Sequence, residues 1–515
     1  MLWGKRIKKP PGGDPEKTKI SVNLEENIRQ LDAEMGIKKN FDVLTRELRV
    51  GGKKITLLFV DGLTNDQVVT MVLQNVTLLD RADLAPDALK KLFNTHLGYT
   101  ELEEVQYLED VVDKVLAGPM AILVDGSDKA LILDARTYPI RNPEEPDLER
   151  VVRGSRDGFV ETLVFNTALI RRRIRDPKLR MEYAQVGTRS KADVIVCYIE
   201  DIANPDLVKN IKGKIEYIKI DGIPMGEKSV EELITPGSYW NPFPRVRYTE
   251  RPDVAAMHLL EGHVLVLVDT SPSVIIAPAT YFHHLQHAEE YRQNPTVGAY
   301  LRWVRFIGVA VSIFLLPLWF LLAGNPELLP PQLAFIGPRE AGEVPLIFQL
   351  LLAEIAIDMI RLATIHTPAA LATATGIIAA LLIGELTTRV GLFAQEVVLY
   401  VAIVAIGTFL TPSIELANAN RLVRLGLLAV TALFRLPGFV IGTAATFVAL
   451  SLMRSFGIPY LWPLIPLNLK ALAGAIVRLP VPVRNTRPSI LKPQDASRQV
   501  IAAPARKPGK NPKRS

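Results

Sequence analysis

The stretch GHVLVLVDTSPSVIIAP, residues 262–278, sets two short apolar runs on either side of an Asp-Thr-Ser-Pro-Ser turn, the pattern of a buried β-hairpin. A looser version, GPMAILVDGSDKALILDAR, begins at Gly118. Aligned on their first glycines, the two share Gly118/Gly262, Leu123/Leu267, Val124/Val268, Asp125/Asp269, Ser127/Ser271, Ile132/Ile276 and Ala135/Ala279. A strand–Asp–turn–strand unit that occurs twice points to two related α/β subdomains in tandem. Asp125 and Asp269 each end an apolar strand, where a turn aspartate accepts nearby backbone N–H groups more readily than it acts as a catalytic acid.

Working outward, SVNLEENIRQLDAEMG places Leu24, Ile28, Leu31 and Met35 at helical spacing with Gly36 as a stop. LRVGGKKITLLFVDG (48–62) predicts a hairpin around Gly51-Gly52, followed by helices over 64–80, 86–95 and 101–117. RNPEEPD, from Arg141, has linker composition. A second α/β subdomain is expected to hold a helix with the apolar face Val160, Leu163, Val164, Thr167, Ile170 and Ile174. Strands at about 193–199 and 215–220, a helix at 251–261 and a helix over 281–293 follow. The expected organisation is a basic leader (1–20), a first α/β subdomain (21–145), a second with an Arg-rich helix (146–300), a helical transmembrane domain (301–477) and a basic, proline-rich disordered tail (478–515). The fold class is thus an α/β soluble N-terminal region of two tandem related subdomains plus an α-helical polytopic membrane domain.

The membrane expectation rests on four apolar runs, FIGVAVSIFLLPLWFLLA (306–323), PAALATATGIIAALLIG (368–384), VVLYVAIVAIGTFL (397–410) and LPGFVIGTAATFVALSLM (436–453). Runs of this length approach the roughly 20 helical residues that cross a hydrocarbon core of about 30 Å. The N-terminus lacks the apolar core of a signal peptide, so residues 1–300 are expected to stay cytoplasmic. The net charge of +6 is uneven: residues 1–300 carry 40 basic against 45 acidic side chains, and 478–515 carry 10 against 1. A basic tail beside the membrane fits the positive-inside rule, which makes an even number of spans, four to six, the expectation. The acidic balance of 1–300 argues against nucleic-acid binding. One cysteine, Cys197, excludes an intrachain disulfide framework and a multi-cysteine zinc site.

Within VPLIFQLLLAEIAIDMIRLATIH (344–366), Glu354, Asp358 and Arg361 fall on one helical face. Charges at membrane depth face a bundle interior or an aqueous path, whereas an interfacial helix carries such a stripe at little cost. With Glu385 they are the candidate intramembrane charges. Small residues (Thr373, Thr375, Gly376, Gly384, Gly407) suit either a pore lining or plain helix packing. Arg153, Arg156, Arg171, Arg172, Arg173 and Arg175 form a basic cluster that suits anionic lipid or phosphate, or an interdomain brace pairing with acids such as Glu161, Asp176 and Glu182. His283 and His287 have metal-pair spacing but no supporting carboxylate motif, so a solvated linker helix or a pH-responsive hinge is expected. No nucleophile-elbow, P-loop, dinucleotide or zinc signature occurs, so neither an enzyme nor a cofactor is expected.

Longer motifs resemble a known family. RGSRDGFVETLVFNTALIRRRIRDPKLR (153–180), VGTRSKADVIVCYIEDIANPDLV, GHVLVLVDTSPSVIIAP, the E-x-x-x-D-x-x-R of Glu354, Asp358 and Arg361, and RSFGIPYLWPLIPL (454–467) are similar to the GerA-type spore germination proteins, the A-subunit family of germinant receptors. The resemblance implies a two-part cytosolic domain, a C-terminal membrane domain, and assembly into a homo-oligomeric, pentameric channel. It places that channel in the spore inner membrane, where it releases monovalent cations during germination beside other spore membrane proteins. The alternative implied is a germinant receptor subunit that binds or transmits a small-molecule signal. Asp269 and Ser271 then mark the hairpin expected to couple the soluble part to the pore.

Overall fold

Asn23 starts the first helix by accepting the N–H groups of Glu25 and Glu26, and Gly36 ends it in the left-handed conformation (φ 64°). Between them, α1 (Leu24–Met35) buries Leu24, Leu31 and Met35. The computed structural model describes residues 17–498 except 85–87, 97–100, 138–148, 150, 236–239, 340–341 and 367–389. Two compact units emerge, one from residues Met1–Pro146, Arg156–Val230 and Thr249–Val274, the other from Asp147–Ser155, Glu231–Tyr248 and Ile275–Ser515.

The chain continues through β1 (Val43–Val50) and β2 (Lys53–Val60), paired in register from Val50↔Lys53 to Val43↔Val60 around Gly51-Gly52. Then come α2 (Asp66–Thr77), β3 (Leu102–Val105), α3 (Leu108–Leu116), β4 (Met120–Val124) and β5 (Ala130–Leu133). The second series runs α4 (Leu163–Arg173), β6 (Leu179–Val186), β7 (Ala192–Ile199), α5 (Pro205–Glu216), α6 (Glu227–Ile234), β8 (Arg247–Thr249), α7 (Pro252–Glu261), β9 (Val264–Val268) and β10 (Val274–Ala277). The two five-stranded sheets have the same order, β1-β2-β4-β5-β3 and β6-β7-β9-β10-β8. The repeated hairpin therefore fills equivalent places in both.

The repetition extends to single hydrogen bonds. Asn27 Oδ1 accepts the Ser21 N–H at 2.8 Å while its Nδ2 donates to the Ser21 carbonyl at 2.6 Å. Asn166 treats Val160 the same way, at 2.8 and 2.6 Å. The Gly126 N–H donates to the Val22 carbonyl, and the Thr270 N–H to that of Glu161, each at 2.8 Å. Both donors sit in the left-handed region, Gly126 at φ 84° and Thr270 at φ 67°. Only the glycine does so without steric cost.

Three expected elements differ. Residues 101–117 split into β3 and α3, because Leu102–Val105 pairs with β5 as an edge strand whose Glu103 and Glu104, on opposite faces, are both exposed; pairing overrides the helix propensity of Leu and Glu. The strand expected at 215–220 is absent: Asn204 caps and Pro205 opens α5, whose face Leu207, Val208, Ile211 and Ile215 is buried. The helix expected over 281–293 is two short helices, Tyr281–His284 and Ala288–Arg292, the second capped by His287.

The second unit contains α8 (Pro295–Gly324), α9 (Leu346–His366), α10 (Gln395–Phe409), α11 (Ile414–Leu452) and α12 (Leu469–Ile476). Among the described residues, α8 and α11 are the helices long and apolar enough to cross a membrane. Leu316, Trp319, Leu350, Val397, Val401, Val404 and Leu428 form a shared core. Gly407 lies against α8, where an added Cβ would meet the Gly308 carbonyl oxygen at 2.5 Å, so this glycine serves close helix packing. Helix α11 breaks at Arg435 (φ 49°, ψ −131°), just before Pro437. An added Cβ on Gly438 would meet the Val430 carbonyl oxygen at 2.3 Å, and one on Gly442 would meet Leu427 at 2.9 Å. Residues 8 and 15 apart along a straight helix lie about 12 and 22 Å apart at 1.5 Å per residue, so α11 is a helical hairpin closed through Gly438-x-x-x-Gly442. The segment at 454–467 opens as a two-stranded hairpin, β11 (Arg454–Ser455) and β12 (Ile458–Pro459), turning at Phe456-Gly457.

Candidate functional site

Glu354, Asp358 and Arg361 all lie on α9, and each meets the first arm of α11. Arg424 Nη2 donates to Glu354 Oε2 at 2.6 Å, with both side chains buried. Arg421 forms an ion pair with Asp358, and Arg361 Nη2 donates to Asn418 Oδ1 at 2.8 Å. The partners run in opposite senses, 354–358–361 against 424–421–418, so the two segments are antiparallel along the ladder. Arg424 also donates through Nη1 to the Ser312 carbonyl, tying α8 to the same rung. Carboxylates in an apolar bundle are held by charge-assisted hydrogen bonds because an isolated ion there costs far more than a paired one. Glu354 and Asp358 are thus neutralised in place. Glu385 lies outside the described residues, as do Thr373, Thr375, Gly376 and Gly384. Sequence reasoning missed the opposite rail; its trace is the three-residue spacing of Asn418, Arg421 and Arg424.

A second buried cluster lies at the start of α8. Glu290 is fully buried, accepts from Arg302 Nε at 2.7 Å and pairs with Arg305. Arg302 also donates to the carbonyls of Gly474 and Ala475 at 3.1 and 2.9 Å, joining α12 to this cluster. Arg478 donates to the Tyr291 carbonyl at 2.8 Å. Neither Glu290 nor Arg302 stood out in the sequence, since both precede the first of the four apolar runs.

The six arginines of the basic cluster do not share one environment. Arg153, Arg156, Arg172 and Arg175 are exposed. Arg171 is fully buried and bidentate to Asp42, Nε to Oδ2 at 2.8 Å and Nη2 to Oδ1 at 3.0 Å, bridging the first and second α/β repeats. Arg173 Nη2 donates to Asp157 Oδ1 at 2.6 Å. Arg180, outside the expected cluster, adds a buried bond to the Met35 carbonyl at 2.9 Å, and Phe41 N–H donates to the Met181 carbonyl at 2.9 Å. Arg171 therefore braces two subdomains, with partners other than the expected Glu161, Asp176 side chain and Glu182.

Asp269 Oδ1 accepts the Leu163 N–H at 3.2 Å, and Asp125 Oδ1 accepts the Leu24 N–H at 3.4 Å, so each repeated aspartate serves the first turn of its own helix. Ser271 Oγ closes its turn by donating to the Ser273 carbonyl at 3.1 Å and accepting the Ser273 N–H at 3.2 Å. Thr162, the N-cap of α4, makes no side-chain cap bond, whereas α1 has Asn23. Asp269→Ala is therefore expected to cost about 1 kcal/mol and Asp125→Ala clearly less, read as lost amide-exchange protection in the first turn of α4 but not of α1.

The histidines serve local caps. His283 Nδ1 accepts the Thr280 N–H and His287 Nδ1 the Glu289 N–H, each at 3.2 Å. Among the described residues no group of three or more His, Cys, Asp or Glu side chains is placed to hold a metal ion. Burial, followed by nearby Arg247, pushes His284 down to about 3, and burial with Arg305 also lowers His287. Burial thus disfavours the charged form of His284 and of His287, one of the two histidines of the expected pH-responsive hinge. Burial raises the Cys197 thiol well above its usual range, which leaves it inert.

The described chain thus joins tandem α/β repeats to apolar helices whose charges are paired internally. Residues 30–490 match the family described as Bacillus/Clostridium GerA spore germination protein, and the chain belongs to that family. It is 49% identical to stage V sporulation protein AF of Bacillus subtilis (strain 168), over 95% of this chain and 99% of that protein. It is 29% identical to spore germination protein KA of the same organism, over 93% of this chain and 89% of that one. The crystal structure of the N-terminal domain of the A subunit of the Bacillus megaterium spore germinant receptor GerK3 is 25% identical, with TM-score 0.39, covering 52% of this chain and 98% of that one.

Proposed function

We propose that this chain is a subunit of a homo-oligomeric, pentameric cation channel in the spore inner membrane. It would act during germination beside other spore membrane proteins, with its N-terminal part and C-terminal tail cytoplasmic. The observation that carries this reading is the ladder of ionised side chains inside helices otherwise fit for lipid. Membrane proteins retain such groups where ions move or where helices must switch partners. Because Arg421 and Arg424 hold Asp358 and Glu354, the ladder as described is the resting arrangement; sliding α9 along α11 would free carboxylates toward a cation path. The hairpin carrying Asp269 and Ser271 precedes α8 by a short stretch of chain, which supports a coupling role for it.

Asp358→Asn tests this in germinating spores. Potassium release is expected to slow while the protein accumulates normally. Unchanged release removes Asp358 from the pathway. Saturable binding of an amino acid or sugar by the purified protein would favour a sensing subunit instead.

A further inference from the structure

Two buried side chains of the second unit carry polar atoms with no hydrogen-bond partner among the described residues, both ring nitrogens of His284 and the Tyr460 hydroxyl, and a third buried polar side chain, Asn420, lies beside them. None is more than 1% exposed. They are contiguous. The His284 and Tyr460 rings lie 6.3 Å apart, the Tyr460 and Tyr281 rings 6.1 Å apart, and Asn420 lies within hydrogen-bonding reach of the Tyr281 hydroxyl. Backbone ties fix the arrangement: Tyr281 N–H donates to the Tyr460 carbonyl at 2.9 Å, and Ala279 N–H donates to Ser455 Oγ at 3.1 Å. Around them, Phe243, Phe306, Leu416 and Leu427 form an apolar wall.

Each unpaired buried polar atom destabilises the fold, and three together would offset a sizeable part of the margin by which a domain is stable. A folded chain resolves this by enclosing a partner that both donates and accepts. All three residues are neutral (burial keeps His284 unprotonated), which disfavours a charged guest. We infer that His284, Tyr460 and Asn420 hold resident water, an internal hydrated site joining the helix at 281–284, the hairpin ending at Tyr460 and the first arm of α11. Waters that make about three bonds each satisfy such clusters. The site also has a direction. Asn420 and Arg424 are four residues apart on one buried face of α11, with Thr431 seven further along, and Arg424 Nε and Thr431 Oγ1 are likewise unpartnered. Hydration along this face would bring solvent toward Arg424, the partner of Glu354.

X-ray radiolytic footprinting of the full-length protein in detergent tests this, because radicals form at bound water and oxidise the side chains touching it. Tyr460 and His284 are expected to label despite their burial, while Phe159 and Met181, which are as deeply buried, stay protected. Tyr460→Phe gives an independent sign. In a hydrated site it removes a water-mediated bond and is expected to lower Tm by about 2–4 °C, whereas in a dry site it removes an unpaired hydroxyl and raises Tm. Tyr460 as protected as Phe159 after correction for ring reactivity, or a rise in Tm for Tyr460→Phe, overturns the inference.

Discussion

Replacing Glu354 by alanine is expected to destabilise the apolar helical unit by about 3–5 kcal/mol, the cost of leaving one member of a buried ion pair without its partner. Arg424 would be that member: it is 3% exposed and its remaining contact is the Ser312 carbonyl. The loss should appear as a lowered midpoint in thermal unfolding of the purified full-length protein. Removing both charges with Glu354→Leu and Arg424→Met should recover most of it, because apolar side chains of similar volume need no partner. A double variant as unstable as the single one would mean that the ladder is not what holds α9 against α11. Asp358→Asn should cost less, since Asp358 and Arg421 remain partly open to their surroundings.

The second large effect belongs to Asp42. Its carboxylate receives two hydrogen bonds from Arg171, and both side chains are wholly buried between the two α/β repeats. Asp42→Ala is expected to cost about 3–5 kcal/mol. The expected signature is faster amide exchange in both β1 and α4, because one guanidinium serves both repeats. Exchange confined to β1 would show that the second repeat does not depend on the brace. Asp42→Leu combined with Arg171→Met should be far milder than either change alone.

Much of this arrangement was legible in the sequence. The duplicated hairpin announced the paired sheets, since short apolar runs, turn residues and two glycines at left-handed positions are local signals that tertiary contacts reinforced. Leu24, Leu31, Met35 and Gly36 likewise fixed α1 almost to the residue. What escaped depended on pairing across distance. Leu102–Val105 has helical composition and becomes a strand only because β5 offers it an edge. Asp42 is an unremarkable acid until Arg171, 129 residues later, is folded onto it. At the candidate site, the stripe of Glu354, Asp358 and Arg361 was visible from its spacing, but its partners were not. Arg421 and Arg424 lie where the apolar pattern weakens, and a one-dimensional reading cannot tell a lone charge from half of a pair. The hairpin in α11 was hidden for a related reason: Arg435-Leu436-Pro437 marks a break, while the closure depends on which residues Gly438 and Gly442 approach.

The central claim, that the chain builds a cation pathway, is tested most directly by recording from the purified full-length protein reconstituted in planar bilayers. The account predicts discrete cation-selective currents that fall when Asp358 is neutralised. Bilayers that hold the folded, assembled protein and stay electrically silent, under conditions where a known channel conducts, would contradict it.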